Sequence, residues 1–256
     1  GLAIGLYISG TAIGGMGGRL IAGVLVDFIS WQSATYIIGF INLIIACLFY
    51  LLLPKSQHFQ PYPFRFSRFK AAFEQNLKDR KLRILFAEGF ILMGCLVTVF
   101  NYISYHLLEA PFQLSQSWIG LISIAYLAGI YSSSKAAQWS FKYGRAKVLP
   151  LMLLMMMAGL LITLIPALWA ILLGLIIFAF AFFAAHSTAS SWVSVQAIQY
   201  RAVAASLYLF CYYIGSSLLG SSGGLIWENF GWIGINLSVV LVLAFGLILS
   251  IRLKAL

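Results

Sequence analysis

Three ionisable side chains, Arg19, Glu88 and Lys135, lie inside long apolar stretches of the sequence. An ionisable group at the centre of a bilayer costs about 3 kcal/mol or more, so each is a functional candidate if these stretches cross a membrane. Glu88 follows Arg83 by five residues and Lys135 precedes Ser140 by five, which predicts similar depths in neighbouring helices. They are interpreted as a salt bridge that stabilises one state of a gate. The alternatives are a proton-accepting Glu88, or an unrelated acid beside a lysine that extends to the membrane surface.

Uncharged polar side chains follow helical spacing in three of the apolar stretches. One row has steps of four, three and four residues, which places its members on one helix face, toward protein or a water-filled cavity. This row comprises Gly94, Thr98, Asn101 and Tyr105. Two further groups are Ser187, Ser191 and Ser194 with Ser190 and His186 beside them, and Tyr208, Tyr212 and Tyr213. Hydrogen bonding between helices without a ligand is the alternative for each residue, and His186 is either a packing histidine or a proton site.

The composition predicts that these stretches cross a membrane. The 256 residues are 62% hydrophobic and 9% charged, with a mean hydropathy of +0.98, which excludes an ordinary soluble domain. A helix needs roughly 20 apolar residues to cross a bilayer. We predict an all-α polytopic membrane protein with about eight spans, near 3–26, 33–53, 84–107, 117–138, 148–166, 169–197, 203–226 and 232–251. Gly1 already lies in an apolar run, so the sequence is expected to be a fragment.

The charged residues alternate between the two sides of these spans. The connections after spans 2, 4 and 6 and the C-terminal tail hold 14 of the 16 Lys and Arg residues. The connections after spans 1, 3, 5 and 7 hold no Lys or Arg, and their acids are Asp27, Glu109 and Glu228. The positive-inside rule therefore predicts a cytoplasmic linker and C-terminus. Because membrane orientation explains the net charge of +10, no nucleic-acid partner is predicted.

One long polar segment, 54–83, separates the first two spans from the last six. It carries eight basic residues and an aromatic face at steps of three and four residues, comprising Phe66, Phe69, Phe73 and Leu77. This pattern predicts an amphipathic helix that lies on the anionic inner leaflet. A protein-binding helix of the calmodulin-target type is the alternative.

A glycine-rich segment occurs twice, at an offset of 206 residues. The stretch Y7-I-S-G-T-A-I-G-G-M-G-G18 aligns with Y213-I-G-S-S-L-L-G-S-S-G-G224, and each copy is followed by an acid and an aromatic-led span. The glycines of interest are Gly10, Gly14, Gly17 and Gly18 in the first copy and Gly220, Gly223 and Gly224 in the second. Glycines on a membrane helix let a neighbouring helix approach closely. Because span 1 corresponds to span 7, the repeat predicts a six-span period, with Arg19 aligned to Leu225.

Six plus six spans joined by a basic linker resemble the major facilitator superfamily of secondary transporters. The chain resembles helices 5 to 12 of that fold and lacks the first four. The resemblance implies three parts: 1–53 as the last two helices of the N-terminal half, 54–83 as the linker and 84–256 as the complete C-terminal half. The closest resemblance is to bacterial permeases described as drug or sugar (arabinose) efflux proteins.

Two motifs carry the resemblance further. G10-T-A-I-G-G-M-G-G18 is similar to the glycine motif of helix 5 in drug and proton antiporters, with Gly15 where proline is expected. F141-K-Y-G-R-A-K147 is similar to the loop between helices 8 and 9, which is usually an acid and a base followed by x-G-R. Lys142, Gly144 and Arg145 match this loop, whereas Phe141 stands at the acidic position.

The resemblance implies transport of a small molecule by alternating access, most simply proton-coupled efflux across the bacterial inner membrane. It implies no cofactor and a monomeric full-length protein. The family's cavity is lined by helices that correspond to spans 3, 4, 6 and 7, which implies Asn101, Tyr105, Tyr208 and Tyr212 as lining residues. Arg19, about two turns inside the outer end, is interpreted either as the partner of an acid from the absent helices or as a contact for an anionic substrate.

Two other functional classes fit parts of the sequence. A fragment without its first four helices could be a non-transporting membrane subunit. The stretch Gly220-Ser-Ser222-Gly223 also matches the G-x-S-G of intramembrane serine proteases, with His186 as a conceivable base. In those proteases the histidine lies on a later helix than the serine, and here it lies on an earlier one. Cys47, Cys95 and Cys211 show no metal-site spacing, so no catalytic or metal site is predicted.

Overall fold

The computed structural model describes the backbone of residues 2–54 and 65–255 and the side chains of 10–54 and 65–253. Every regular element in these ranges is helical, which confirms the all-α prediction. The helices are α1 (Leu2–Phe28), α2 (Trp31–Leu52), α3 (Phe66–Lys78), α4 (Arg80–Leu108), α5 (Gln116–Ile122), α6 (Tyr126–Tyr143), α7 (Arg145–Ile162), α8 (Leu168–Gln196) and α9 (Arg201–Ala255).

Six of the described helices are long and apolar enough to cross a membrane: α1, α2, α4, α7, α8 and α9. The apolar stretch of α9 has 53 residues. At 1.5 Å per residue this is about 80 Å, far more than the ~30 Å of a hydrocarbon core. The helix is broken at Gly231, whose φ of 56° and ψ of −149° are not helical. We refer to 201–230 and 232–255 as the first and second segments of α9.

The two segments of α9 pass α4 in opposite directions. Along the first segment, Gly215 lies against Phe90 and Gly223 against Tyr102, so the two helices run parallel. In the second segment, Trp232 stacks on His106 with ring centroids 5.7 Å apart, whereas Gly246 lies near Ile91, so the direction is reversed. The chain therefore turns back at Gly231, where the sequence predicts the gap between its last two spans.

The predicted span 117–138 is not one straight helix. It consists of α5, a 3₁₀ turn at Ser123–Ala125, and α6. The break lies where this span passes α1, because the Ser123 hydroxyl donates both to the Met16 carbonyl oxygen at 3.1 Å and to the Gly120 carbonyl oxygen at 2.6 Å. The serine thus joins α1 to the break in the span.

The helix ends follow from local capping. Ser30 accepts a hydrogen bond from the Ser33 amide at the start of α2, and Asp79 accepts from the amides of Lys81 and Leu82 at the start of α4. α6 ends at Gly144, where a φ of 85° favours glycine. Successive long helices alternate in direction, so the charged residues gather at two ends of the bundle. We call them the acidic end, with Asp27, Glu109 and Glu228, and the basic end, where α4 begins and α8 stops.

The buried core lies among α4, α6, α7, α8 and α9. In α1 and α2, by contrast, the buried side chains among those described are Ala12 and Ala34. α1 touches the core group along one face, through α5 and α6, and α2 packs beside α1. α3 is amphipathic as predicted, but its four apolar residues differ in their surroundings. Phe66, Phe69 and Phe73 are exposed, while Leu77 packs on the core.

Candidate functional site

A cavity of about 280 Å³ lies where α1 meets α4, α6, α8 and the first segment of α9. Its wall is mainly aromatic and aliphatic, and Arg19 is its one charged lining residue among those described. We call it the central cavity. Its lining residues are Thr11, Gly15, Arg19, Met93, Leu96, Val97, Tyr126, Phe182, Phe183, His186, Leu209, Tyr212 and Tyr213.

Arg19 reaches from α1 across to α4. Its Nη1 donates to the Phe100 carbonyl oxygen at 3.2 Å, and its Nη2 donates to Asn101 Oδ1 at 3.1 Å. The guanidinium carbon also lies 5.7 Å from the centroid of the Phe100 ring, within the range of a cation–π contact. Arg19 is therefore held by neutral acceptors and an aromatic face.

A second cavity of about 220 Å³ lies on the acidic-end side of Arg19. Arg19 lines both cavities, with Phe100 on the acidic-end side and Tyr126 on the central side. The rings of Phe100 and Tyr126 meet edge to face with centroids 4.8 Å apart. These three side chains, Arg19, Phe100 and Tyr126, form a partition between the two cavities, and we call them the partition.

Beyond the partition, α1 and α5 are in close contact. A Cβ atom on Gly23 would lie 2.5 Å from the Gln116 carbonyl oxygen and 3.1 Å from the Gly120 Cα. One turn further, Asp27 accepts hydrogen bonds from the Gln116 amide at 3.1 Å and the Ser117 amide at 2.8 Å. A carboxylate is favourable at these first amides of a helix, whose donors have no partner within the helix. This α1–α5 contact brings the two helices together at the acidic end.

His186 forms one wall of the central cavity and is anchored from behind. Its Nδ1 lies 2.9 Å from the Tyr208 hydroxyl, and its ring is parallel to that of Phe182 with centroids 6.0 Å apart. Tyr208 is buried, and its ring lies on the backbone of Gly89, where a Cβ atom would be 2.8 Å away. These contacts are the ones expected of a packing histidine, which is one of the two interpretations of His186 from the sequence. The residue also lines the central cavity.

The four predicted cavity tyrosine and asparagine residues take different positions. Tyr212 lines the central cavity. Tyr208 lies one layer behind it and positions His186, and Asn101 holds Arg19. Tyr105 faces away from the cavity, in an aromatic group with Tyr102 and Trp227. Sequence reasoning missed other lining residues, notably Tyr126, Phe182 and Phe183, because aromatic residues in a membrane helix carry no signal that separates a cavity wall from a packed core.

Glu88 and Lys135 are not paired, so the predicted salt bridge is wrong for this conformation. Lys135 Nζ donates to Gln138 Oε1 at 3.4 Å. Glu88 has 0% exposure, and neither of its carboxyl oxygens has a hydrogen-bond partner among the residues that the structure describes. Glu88 lies instead between α4 and the second segment of α9, 3.3 Å from the position that a Cβ on Gly246 would take. The similar depths inferred from the sequence did not show that the two side chains face different neighbours.

The two glycine-rich segments also differ. At Gly10, Gly14, Gly17 and Gly18, a Cβ atom would have no described atom within 4 Å. At Gly220 it would lie 3.0 Å from Val97, and at Gly224 it would lie 3.4 Å from the Tyr102 hydroxyl. Tyr102 in turn donates to the Gly220 carbonyl oxygen at 3.0 Å. The close approach predicted for both segments is therefore present in α9, and on α1 it occurs at Gly23.

The loop motif lies at the basic end, between α6 and α7. Gly144 provides the left-handed turn residue, and its carbonyl oxygen accepts from the amides of Lys147 and Val148. Lys142 Nζ lies 5.1 Å from the Tyr143 ring centroid, and Arg145 Nε is buried without a hydrogen-bond partner. The glycine thus makes the tight turn that this spacing requires.

The protease alternative is not supported by the positions of its two residues. The Ser222 hydroxyl is exposed and donates to the Leu219 carbonyl oxygen of its own helix at 3.2 Å. His186 is hydrogen-bonded to Tyr208 at the central cavity, so the two side chains do not form a nucleophile and base pair. Among the described residues, no group of three or more His, Cys, Asp or Glu side chains is arranged to hold a metal ion.

Comparison with known proteins gives a consistent result. The chain is 47% identical over 251 residues to the inner membrane transport protein YnfM of Escherichia coli and 42% identical over 250 residues to the uncharacterized MFS-type transporter YybF of Bacillus subtilis. An uncharacterized transporter of Buchnera aphidicola from Schizaphis graminum is 47% identical over 251 residues. Each match covers 98% of this chain but 60%, 62% and 61% of the respective relative. The chain therefore spans about three fifths of the length of these relatives.

A family model for the Major Facilitator Superfamily matches residues 1–220. This match includes α1, where Arg19 is located, and most of the helices that line the central cavity. The relatives are named as transporters, in agreement with a membrane-spanning helical bundle around a cavity. On this evidence the chain belongs to the Major Facilitator Superfamily.

Proposed function

We propose that this chain is part of a proton-coupled efflux transporter that moves a small organic molecule by alternating access across the bacterial inner membrane. The observation that carries the proposal is the central cavity, which lies between α1 and the helices that follow the linker. In this proposal 1–53 belongs to the N-terminal half, 54–83 is the linker, and 84–256 is the C-terminal half. The basic end faces the cytoplasm, in accord with the positive-inside rule.

The contacts at the acidic end support alternating access. The partition and the α1–α5 contact close the central cavity toward the acidic end, and both consist of contacts between α1 and helices after the linker. In the proposed cycle these contacts break when the cavity opens to the outside. Contacts that break at one end of the boundary while the other end closes suit a rocking motion of one half against the other.

Glu88 is the proposed proton-carrying group. An ionised carboxylate without a hydrogen-bond partner is very unfavourable in a buried apolar site, so the neutral, protonated form is the one that this environment accommodates. A rearrangement of α4 against the second segment of α9 would give the carboxyl group access to water and allow it to release the proton. Glu88 therefore couples a proton to the conformation of the C-terminal half.

Transport is tested with the full-length protein in liposomes that contain a pH-sensitive dye. The panel consists of aromatic and aliphatic acids, amides, amines and sugars. We expect at least one class to move protons in exchange, and we expect Glu88→Gln to abolish proton movement while exchange of labelled for unlabelled compound persists. Glu74→Gln is the matched control, because Glu74 is exposed on α3 and pairs at the surface with Lys70 at 3.9 Å.

Three results of this assay would contradict Glu88 as the proton carrier, proton coupling, and transport itself, in that order. Undiminished proton movement in the Glu88→Gln variant would remove Glu88 as the carrier. Compound exchange without any proton movement in the unmodified protein would rule out proton coupling. If no member of the panel crosses the membrane faster than in protein-free liposomes, the proposal of transport is wrong.

A further inference from the structure

The geometry points to an organic anion with an aromatic body as the substrate class of the central cavity, with Arg19 as the residue that binds its anionic group. This inference rests on the proposed transport function and names what the cavity selects. It depends on three observations: Arg19 has no acidic partner among the described residues, the described cavity wall holds no acid, and the same wall carries several aromatic side chains.

No carboxylate among the described residues balances the charge of Arg19. All six acids of the sequence lie in the described residues, and the one salt bridge found there joins Lys70 to Glu74. Asp27 is on the same helix as Arg19 but about 12 Å further along, and its oxygens accept from backbone amides of α5. The Phe100 carbonyl oxygen, the Asn101 amide oxygen and the Tyr126 hydroxyl contact Arg19, and these neutral groups orient the guanidinium without neutralising it.

Arg19 is placed to meet a ligand and is held in that place. Asn101 and the Phe100 carbonyl fix two of its five N–H groups from the α4 side, and the side chain borders the central cavity. A guanidinium presents its donors in a rigid fork that matches a carboxylate, and such charge-assisted hydrogen bonds are about twice as strong as neutral ones. A positioned, uncompensated arginine therefore selects for an anion.

The rest of the wall accepts rings. Tyr126 and Phe183 meet edge to face with centroids 5.4 Å apart, and Tyr212 lies 4.7 Å from the His186 ring. These faces provide stacking and edge contacts for an aromatic body. The described wall holds no acid, so an amine would find a positive residue and no counterion. The cavity thus favours a ring with a negative head group over the same ring with a neutral or positive one.

The test compares three ligands that share one ring system: cinnamate, cinnamamide and cinnamylamine. Their affinities for the purified full-length protein are measured by calorimetry in detergent. We expect cinnamate to bind about tenfold or more tightly than the other two, the difference expected from a charge-assisted hydrogen bond. Arg19→Gln should remove this preference by lowering the affinity for cinnamate far more than that for cinnamamide, whereas Arg19→Lys should keep part of it. Arg252→Gln, an exposed arginine at the far end of α9, is the control for general charge effects.

Each other outcome has a defined meaning. Equal affinity for the three ligands in the unmodified protein would overturn the anion assignment. An equal loss for all three in Arg19→Gln would show that Arg19 supports the partition without selecting charge, which also overturns it. If none of the three binds while the transport panel succeeds with another class, the substrate class is wrong and transport stands. If the panel fails as well, both proposals fall together.

Discussion

The glycine-rich segments of α1 and of the first segment of α9 have nearly the same pattern but different surroundings. In α9 the glycines lie against α4, and Gly215, Gly220 and Gly223 all contact side chains or backbone of that helix. In α1, by contrast, no described atom lies within 4 Å of a Cβ position at Gly10, Gly14, Gly17 or Gly18. The same glycine pattern therefore packs against a neighbouring helix in α9 and faces open space in α1.

The difference shows what the glycines are for and what the α1 copy lacks. The helix that fills the α9 copy is α4, which begins at Arg80. At an offset of 206 residues, its equivalent for α1 falls outside this chain, which spans about three fifths of the length of these relatives. We therefore propose that a helix of the N-terminal half packs against the open face of α1 in the longer protein.

Arg19 marks the second difference between the copies. It aligns with Leu225, which is exposed on the outside of the bundle, whereas Arg19 crosses to α4 and borders two cavities. The duplicated glycines make helix contacts in α9, and the unduplicated Arg19 contributes the charge in α1. This division is the reason for assigning packing to the glycines and ligand selection to the arginine.

The largest expected effect is that of Gly223→Leu in the full-length protein. A Cβ atom at Gly223 would overlap the Tyr102 ring, so a larger side chain must separate α9 from α4. Overpacking of this kind costs about 1–3 kcal/mol, and thermal unfolding in detergent should occur at a clearly lower temperature. Ser222→Leu is the control because Ser222 is exposed on the same helix turn. An unchanged unfolding temperature for Gly223→Leu would contradict the view that these glycines make a tight contact.

The positions of the helices could be predicted from the sequence because hydrophobicity and length determine them. The predicted spans 84–107 and 169–197 correspond to α4 and α8 within a few residues. The turn at Gly231 was predicted because two apolar runs are too long for one crossing. The break at Ser123–Ala125 was not, since local sequence does not show that Ser123 contacts Met16, which is more than 100 residues away.

The site was predictable only to the level of helix faces. Helical spacing places Asn101 and Tyr105 on one stripe, but Asn101 reaches Arg19 while Tyr105 packs with Trp227. One turn of helix separates these two surroundings, and only the neighbouring helices decide between them. Glu88 shows the same limit, because its depth was predictable and its neighbour, Gly246, was not.

The second-largest expected effect concerns the glycine-rich segment of α1, whose glycine face is open. Gly17 aligns with Gly223, so Gly17→Leu in a protein of the relatives' full length should lower the unfolding free energy by about 1–2 kcal/mol through the same kind of overpacking. Gly39→Leu on α2 is the matched control. Gly39 is also open in this structure, but it aligns with Phe245, so a large side chain fits the equivalent position of the repeat. If Gly17→Leu unfolds at the same temperature as Gly39→Leu, no helix occupies the open face and the repeat does not extend to packing.

The smallest effect distinguishes the acids that follow the two segments. Asp27 accepts from two amides of α5, whereas Glu228 is exposed at the acidic end. Asp27→Asn should lower the unfolding temperature slightly, because it removes a charge-assisted contact at a helix start. Glu228→Gln should change stability by less than about 0.5 kcal/mol, as is usual for a surface substitution.

The same change should alter the balance between conformations, because Asp27 and α5 lie on opposite sides of the proposed boundary between halves. Any loss of stability in the closed state shifts a two-state equilibrium toward the open one. The measurement is the rate of thiol labelling at Ser104→Cys, which lines the acidic-end cavity, in a background in which the exposed Cys47 is replaced by serine. Faster labelling with Asp27→Asn and an unchanged rate with Glu228→Gln would show that the acid after the first glycine segment holds the acidic end closed. Equal rates in both variants would mean that the contact at Gly23 and the partition suffice without Asp27.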